Sequence, residues 1–511
     1  TIEFDIKNSR IEALDDEKLN LYFENEEIVN HKHKENIYDD YAKEVLLPHE
    51  NSKLGPGIAT GDINGDGLED FVIGGAKDQS TAFYFQNSNG SFSQRSFYFS
   101  SSHSKYEDMD MILNDFDSDG DLDLYIVSGG NEFEPNSPIL KDRIYVNDGR
   151  GYFSYSENSV PNNYSSGMRV SSEDFDKDGD LDLFVGGRVV PGSYPLPADS
   201  FLLVNQSDKD EIKFVNADYS DFPFRDIGLV TSSVWVDYNN DGWKDLIVVG
   251  EWTPVKFFKN QDGKFSEDKS LIDEDSTRGW WYDVIAEDFD NDGDMDLVVG
   301  NLGNNYKYQA TEDETFDIFY NDFDKNNSGD IVLSYYNDGE QFPLRGRQCS
   351  SDQIPAIKTK FQDYDAFSIA TLEDVYGDTD LDNSLHYFTK TFSSIYLENT
   401  GNSFEMNKLP VLSQLSAINK ILKKDIDKDG YVDIIVSGNM FNSEVETPRN
   451  DGSVGVFLKF EPETGFKAVP TKESGLFLNG DIKDMEFINL KNNDYIISAK
   501  NNDLIEFTRI K

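Results

Sequence analysis

The chain has 511 residues, 97 of them acidic against 46 basic, for a formal charge of −51. That balance excludes a nucleic-acid or anionic-lipid binder, since both need clustered Lys and Arg; 37% hydrophobic and 13% aromatic content excludes a disordered acidic chain. A single cysteine, Cys349, excludes an internal disulfide, so any stapling of an extracellular fold would fall to metal ions.

In chain order, residues 1–50 form an N-terminal segment without a repeat. Its IEFDI and EEIVN stretches are candidates for a short strand, and HKHK places His31 and His33 two apart. Those histidines could bind a metal from one side of a strand, but a solvated basic patch is the better reading. The chain opens at Thr1 without a Met, which points to a processed or trimmed product. No run of about 18 apolar residues could span a membrane, and no signal peptide is visible.

From residue 51 onward the chain repeats itself. DINGDGLED starts at Asp62, DFDSDGDLD at Asp115, DFDKDGDLD at Asp174, DYNNDGWKD at Asp237, DFDNDGDMD at Asp288, DFDKNNSGD at Asp322 and DIDKDGYVD at Asp425. Each places Asp or Asn at positions 1, 3 and 5 and Asp at position 9; all but the Asp322 copy have Gly at position 6. Like charges so close repel unless a cation sits among them. Calcium takes six to eight oxygens, which alternate residues of a tight loop can supply while Gly permits the turn. Oxygen-only ligands exclude zinc and copper as the intended ions. The predicted ligands are Asp62, Asn64, Asp66 and Asp70; Asp115, Asp117, Asp119 and Asp123; Asp174, Asp176, Asp178 and Asp182; and Asp237, Asn239, Asp241 and Asp245. The later loops add Asp288, Asp290, Asp292 and Asp296; Asp322, Asp324, Asn326 and Asp330; and Asp425, Asp427, Asp429 and Asp433. One such loop could be a solvated turn. Seven imply about six to seven Ca²⁺ ions per chain.

After the loops come FVIGG, LYIVSGG, LFVGG, LIVVG, LVVGN and IIVSGN, apolar runs that read as strands buried on both faces. FYFQNSNGSF, RIYVNDGRGYF, VKFFKNQDGKF and IYLENTGNSF follow; Asn or Asp before Gly marks a hairpin in the first three, and Asn-Thr-Gly in the last. Each unit is therefore a four-stranded antiparallel blade. The fold expected is an all-β propeller over residues 51–511, of seven or eight blades, with seven favoured by merging the Asp288 and Asp322 units. The stretch between Asp322 and Asp425 holds a helical insertion at about 345–385. The last unit offers three strands, so part of residues 1–50 is expected to close it.

Repeats of the form DxDxDGxxD followed by an apolar strand and Gly resemble FG-GAP or VCBS repeats, the integrin-type propeller unit. KLGPGIATGDINGDGLEDFVIGGA, GDLDLFVGGRVVPGSYPLPADSFLLVN, VVGEWTPVKFFKN, RGWWYDVIAEDFDNDGDMDLVVGNLGNN and ESGLFLNGDIKDMEFI resemble more closely the bacterial relatives of cartilage acidic protein, the ASPIC/UnbV-associated group of Bacteroidetes. No ASPIC/UnbV segment is evident, and residues 1–50 match poorly. The resemblance implies a secreted or surface-anchored, calcium-loaded propeller without catalysis.

Nothing in the sequence is a catalytic motif: there is no HExxH, GxSxG, GxxxxGK[ST] or GxGxxG. The carboxylates are assigned to metal, which leaves a propeller glycoside hydrolase or lyase as the weakest reading. The reading preferred is a non-enzymatic scaffold outside the cytoplasm, at a bacterial cell surface, outer membrane or secreted, with a protein partner in an envelope complex. A lipid anchor outside this chain is compatible with it. Glycan binding is the alternative, through Trp252, Trp280 and Trp281 if these are exposed. The Pro-rich loop VVPGSYPLPADS, residues 189–200, and the helical insertion are further candidate recognition surfaces, the insertion equally readable as a lid over its own blade.

Overall fold

The structure is a computed structural model, and it describes residues 21–511 except 210, 219–222 and 225–226. Alternation between buried strands and polar hairpins builds seven four-stranded antiparallel blades. Blade 1 comprises Ile58–Gly61, Asp70–Ile73, Ala82–Gln86 and Phe92–Arg95, paired in that order. Blades 2, 3 and 4 begin at Asp108–Asn114, Gly167–Glu173 and Leu229–Val236. Blade 5 begins at Gly279–Glu287, blade 6 at Ile418–Lys424 and blade 7 at Ile482–Leu490. These seven first strands neighbour one another in order, and that of blade 7 meets that of blade 1, closing the ring.

The second strand of blades 1 to 6 is the apolar run that follows a metal-type loop. Asp123–Ser128, Asp182–Gly187, Asp296–Asn301 and Asp433–Gly438 are buried at every residue, as a strand sandwiched between two neighbouring blades must be. Blade 7 is completed by the N-terminal strand Phe23–Glu26, which pairs antiparallel with Glu506–Ile510. The closing strand thus starts just before EEIVN and overlaps it only at Glu26; IEFDI lies outside the described residues. Joining the two ends of the chain in one blade leaves the ring without a free edge.

The Asp322 unit is not part of the ring. Strands Phe316–Asn321, Asp330–Asn337, Glu340–Pro343 and Leu385–Thr389 form a separate four-stranded sheet. It is inserted between the second strand of blade 5 and its third, Ile395–Asn399. The ring therefore has seven blades, and an eighth sheet hangs from blade 5. Five short helices between Arg347 and Asp382 pack Ile354, Ile357, Phe367, Leu372 and Val375 against Phe319 and Val332 of that sheet. The helical insertion is a cover for the extra sheet. No helix among the described residues is long and apolar enough to cross a membrane.

Candidate metal loops on the propeller rim

Each loop joins the first strand of its sheet to the second, so six of them stand along one rim of the ring. All seven fold alike. The position 1 carboxylate accepts the backbone N–H of position 5 through one oxygen and that of position 6 through the other, at 3.1 and 3.0 Å in the Asp115 loop and 3.1 and 2.8 Å in the Asp237 loop. The residue at position 4 is left-handed as well as that at position 6, for example Lys177 (φ 62°) and Gly179 (φ 103°). The Asp322 loop has Asn327 at position 6, with φ 67°. Asn tolerates this region best among non-glycine residues, so the copy without Gly closes as the others do.

Position 9 is the inner wall. Asp70, Asp123, Asp182, Asp245, Asp296, Asp330 and Asp433 are all buried. One oxygen of Asp123 accepts the N–H of Phe116 at loop position 2 and the other that of Asn147 on the third strand. Asp70, Asp296 and Asp433 repeat the pattern. Burial pushes these carboxyls up, to about 8 for Asp182, about 7 for Asp70, Asp123 and Asp245, and about 6 for Asp296, Asp330 and Asp433. The other aspartates of each loop add to the effect.

Five loops bring three carboxylate oxygens within 4.8 Å of one another: Asp115, Asp117 and Asp123; Asp174, Asp176 and Asp182; Asp288, Asp290 and Asp292; Asp322, Asp324 and Asp330; Asp425, Asp427 and Asp433. Oxygens on opposite sides of one calcium, each about 2.3–2.6 Å from it, lie at most about 5 Å apart, so every triad fits a single ion. Asp119, Asp178, Asn326, Asp429 and Asp296 stand outside the triads but in the same loops. Asp62, Asn64, Asp66 and Asp70, like Asp237, Asn239, Asp241 and Asp245, form no triad of acids because position 3 is Asn. The Asn64 and Asn239 side-chain oxygens nevertheless accept the position 5 N–H at 3.0 Å, as the aspartates do. Two observations support a cation in such a cradle. Asp182 Oδ2 is buried without a hydrogen-bond partner, and Lys459 places its ammonium on Asp427 and Asp429 in the Asp425 loop.

Sequence reasoning missed a set of asparagines. Asn147, Asn205, Asn260 and Asn399 end the third strands of blades 2, 3, 4 and 5. Each donates its side-chain amide to the carbonyl just before position 9 of its own loop, and to the position 2 carbonyl of the preceding blade's loop: Ile63, Phe116, Phe175 and Tyr238 respectively. Gln86 does the same in blade 1, reaching Asn489 of blade 7. The signal was present as the recurring Asn in YVN, LVN, FKN and LEN, but it was absorbed into the hairpin reading.

Other candidates are relocated. Trp252, Trp280 and Trp281 are 0–1% exposed; Trp252 and Trp280 meet edge to face at 4.8 Å, so they pack between blades and offer no stacking platform. Tyr194 in the Pro-rich loop is fully buried, taking a hydrogen bond from Trp252 Nε1 at 2.5 Å and giving its own N–H to Glu44 at 2.7 Å. That loop is held beneath the N-terminal segment. His31 and His33 are buried too, which overturns the solvated patch: His31 Nδ1 meets the Tyr84 hydroxyl at 2.9 Å and His33 accepts the N–H of Asn502. Burial pushes both down, to about 4 and about 3. Cys349 is half-buried against Glu446, and burial raises its thiol to about 11.

The sequence profile of the FG-GAP-like repeat matches residues 62–126, 115–185 and 237–299, each match running from one metal-type loop through the second strand of the next blade. No curated protein matches the chain. Among solved structures, the V. cholerae biofilm matrix protein Bap1 is similar at 11% identity and TM-score 0.35, over 95% of this chain and 91% of that one. Sqt1 of Saccharomyces cerevisiae is similar at 9% identity and TM-score 0.42, over 94% and 100%. BBS1N, solved in complex with ARL6DN, is similar at 9% identity and TM-score 0.36, over 95% and 98%. The ring of blades and the three profile matches together make this chain a β-propeller that carries FG-GAP-like repeats.

Proposed function

We propose that the chain is a calcium-stabilised, non-enzymatic propeller that works outside the cytoplasm as a rigid platform for a protein partner in a bacterial cell-envelope complex. The observation that carries the reading is the set of five carboxylate triads, each sized for one ion, at matching turns of the sheets. Oxygen-only sites of this kind hold calcium at about 10⁻⁴–10⁻³ M in extracellular modules. Such sites would be filled outside the cell and largely empty in the cytosol, where their carboxylates would repel. The long stretches resembling the ASPIC/UnbV-associated bacterial relatives favour the same location.

Burial of all three inter-blade tryptophans removes the feature that favoured a glycan. The cavity between His49, Arg169, Tyr282 and Lys483, where the first strands of the blades meet, measures about 30 Å³, room for about two waters.

Tagged purification from the native envelope in millimolar calcium tests the reading. A stoichiometric membrane partner that is lost in EGTA is the expected result. Recovery of the chain alone would overturn the scaffold and move the weight to a carbohydrate ligand.

A further inference from the structure

Away from the rim, three glutamates meet where the N-terminal segment crosses the ring. Glu35 lies on that segment, Glu107 directly precedes the first strand of blade 2, and Glu132 follows its second strand. Glu107 is 1% exposed, and its Oε1 has no hydrogen-bond partner; its Oε2 accepts only the N–H of Lys77, at 2.7 Å. The Glu35 side chain is 4% exposed, and its Oε2 is also unpartnered.

The three converge on one place. Asn501 of blade 7 donates to both Glu35 Oε1, at 2.5 Å, and the Gly55 carbonyl, at 2.8 Å. A Cβ on Gly55 would stand 3.7 Å from Glu107 Oε1, and one on Gly130 would stand 2.5 Å from Glu132 Oε2 and 3.3 Å from Glu107 Cβ. Of the nearby ammoniums, Lys53 is engaged with Glu50 and Lys483 with Asp481, both at 2.8 Å, while Lys77 stands over the Phe133 ring and acts on Glu132 from a distance. Buried carboxylates are normally paired or bound to metal; here the nearest paired group is His33, 4.0 Å from Glu35, and burial keeps that ring uncharged by lowering it to about 3.

We infer that Glu35, Glu107 and Glu132 form a divalent-cation site, distinct from the repeated loops, that clamps the N-terminal segment to blades 2 and 7. Their oxygens are hard donors, as calcium requires. They do not already lie within 4.8 Å of one another as the loop triads do, so binding one ion would require the crossing segment to close onto blade 2. Burial above all pushes Glu35 and Glu132 up to about 7 and Glu107 well above the usual carboxylate range; Glu132 adds repulsion at Glu35, and both add it at Glu107. The site joins the N-terminal segment to blade 2, with Asn501 of blade 7 holding Glu35 beside it.

The test counts ions on the full chain by native mass spectrometry at fixed free calcium, with melting temperatures measured alongside. Glu107→Gln is expected to bind one Ca²⁺ fewer than the parent. It should melt higher in EGTA, because a buried charge is gone, yet gain less on adding calcium. Glu35→Gln serves as the second variant with the same expectation if Glu107→Gln folds poorly. Asp117→Asn in a rim loop should also lose one ion, and Asp117→Asn with Glu107→Gln should lose two. Parental ion counts and parental calcium shifts in both glutamate variants overturn the site while Asp117→Asn still loses its ion. A parent that binds no calcium at all overturns this site and the calcium-stabilised scaffold together.

Discussion

The rim and the hub of this propeller both gather carboxylates, but they surround them differently. On the rim, each set of acids lies within nine consecutive residues, and the fold brings almost no basic side chain to it; Lys459 and Lys259 are the exceptions among the described loops. In the hub, acids come from different blades and the protein supplies its own cations. Arg169 of blade 3 approaches Asp110 of blade 2 and Asp484 of blade 7, at 3.4 and 3.7 Å. Lys420 of blade 6 binds Asp484 at 2.8 Å. Burial pushes Asp484 upward, but Lys420 and Arg169 outweigh it and hold its carboxyl low. Glu251 is paired with Arg188 and, at 2.6 Å, with His49 of the crossing segment. There too burial is outweighed, and the carboxyl falls to about 2. On the proposed reading the rim depends on a bound cation, whereas these hub carboxylates have side-chain partners of their own.

Removing calcium is the strongest way to break that comparison. At roughly 2 mM calcium and a Kd of about 10⁻⁴ M, each filled site stabilises the fold by about 1.8 kcal/mol. Five to seven sites then contribute on the order of 10 kcal/mol. EGTA should lower the melting temperature by well over ten degrees, with magnesium restoring little. The pH dependence has a definite sign. The position 9 aspartates have folded-state values raised to about 6–8, above the unfolded value of about 3.9. Their contribution is thus fully present below about pH 4 and lost as pH rises through their folded values. In EGTA the melting temperature should fall between pH 5 and 8 on their account, and saturating calcium should flatten that fall. A melt indifferent to calcium would sink the distinction between rim and hub.

Glu251→Ala tests the hub. It strands the buried Arg188, a change that typically costs about 3–5 kcal/mol, and the loss measured by chemical denaturation should be the same with and without calcium. A loss seen only in calcium would mean that hub and rim are one system. The smallest effect is expected from Asn260→Ala, which leaves the Phe175 and Lys244 carbonyls without their side-chain donor. Leaving buried acceptors unpaired costs about 1–3 kcal/mol. Because this Asn joins two neighbouring loops, its removal should also weaken calcium binding in blades 3 and 4, readable by titration calorimetry. Unchanged affinity there would confine the Asn to packing.

By itself the sequence determined the loops, the buried second strands, the hairpins and hence the propeller, because each of these is local. A ligand set spans nine residues, a left-handed turn is decided by Gly or Asn, and a run such as LYIVS can be satisfied only between two layers. Even the irregular Asp322 copy was legible, since Asn327 does what Gly does elsewhere. Tertiary structure alone decided matters that join distant residues. That sheet lies outside the ring because its first and last strands pair with each other and only then does the chain return to blade 5. Trp280 and Trp281 are buried because the end of blade 4's second strand pairs with blade 5's first, Glu251 opposite Trp280. His31 and His33 lose their water because Lys32 bridges to Leu504 across the closing blade. A charged or aromatic side chain has the same local signature whether it ends in solvent or in a seam; what distinguishes the two is the partner, and the partner is set by the closure of the ring.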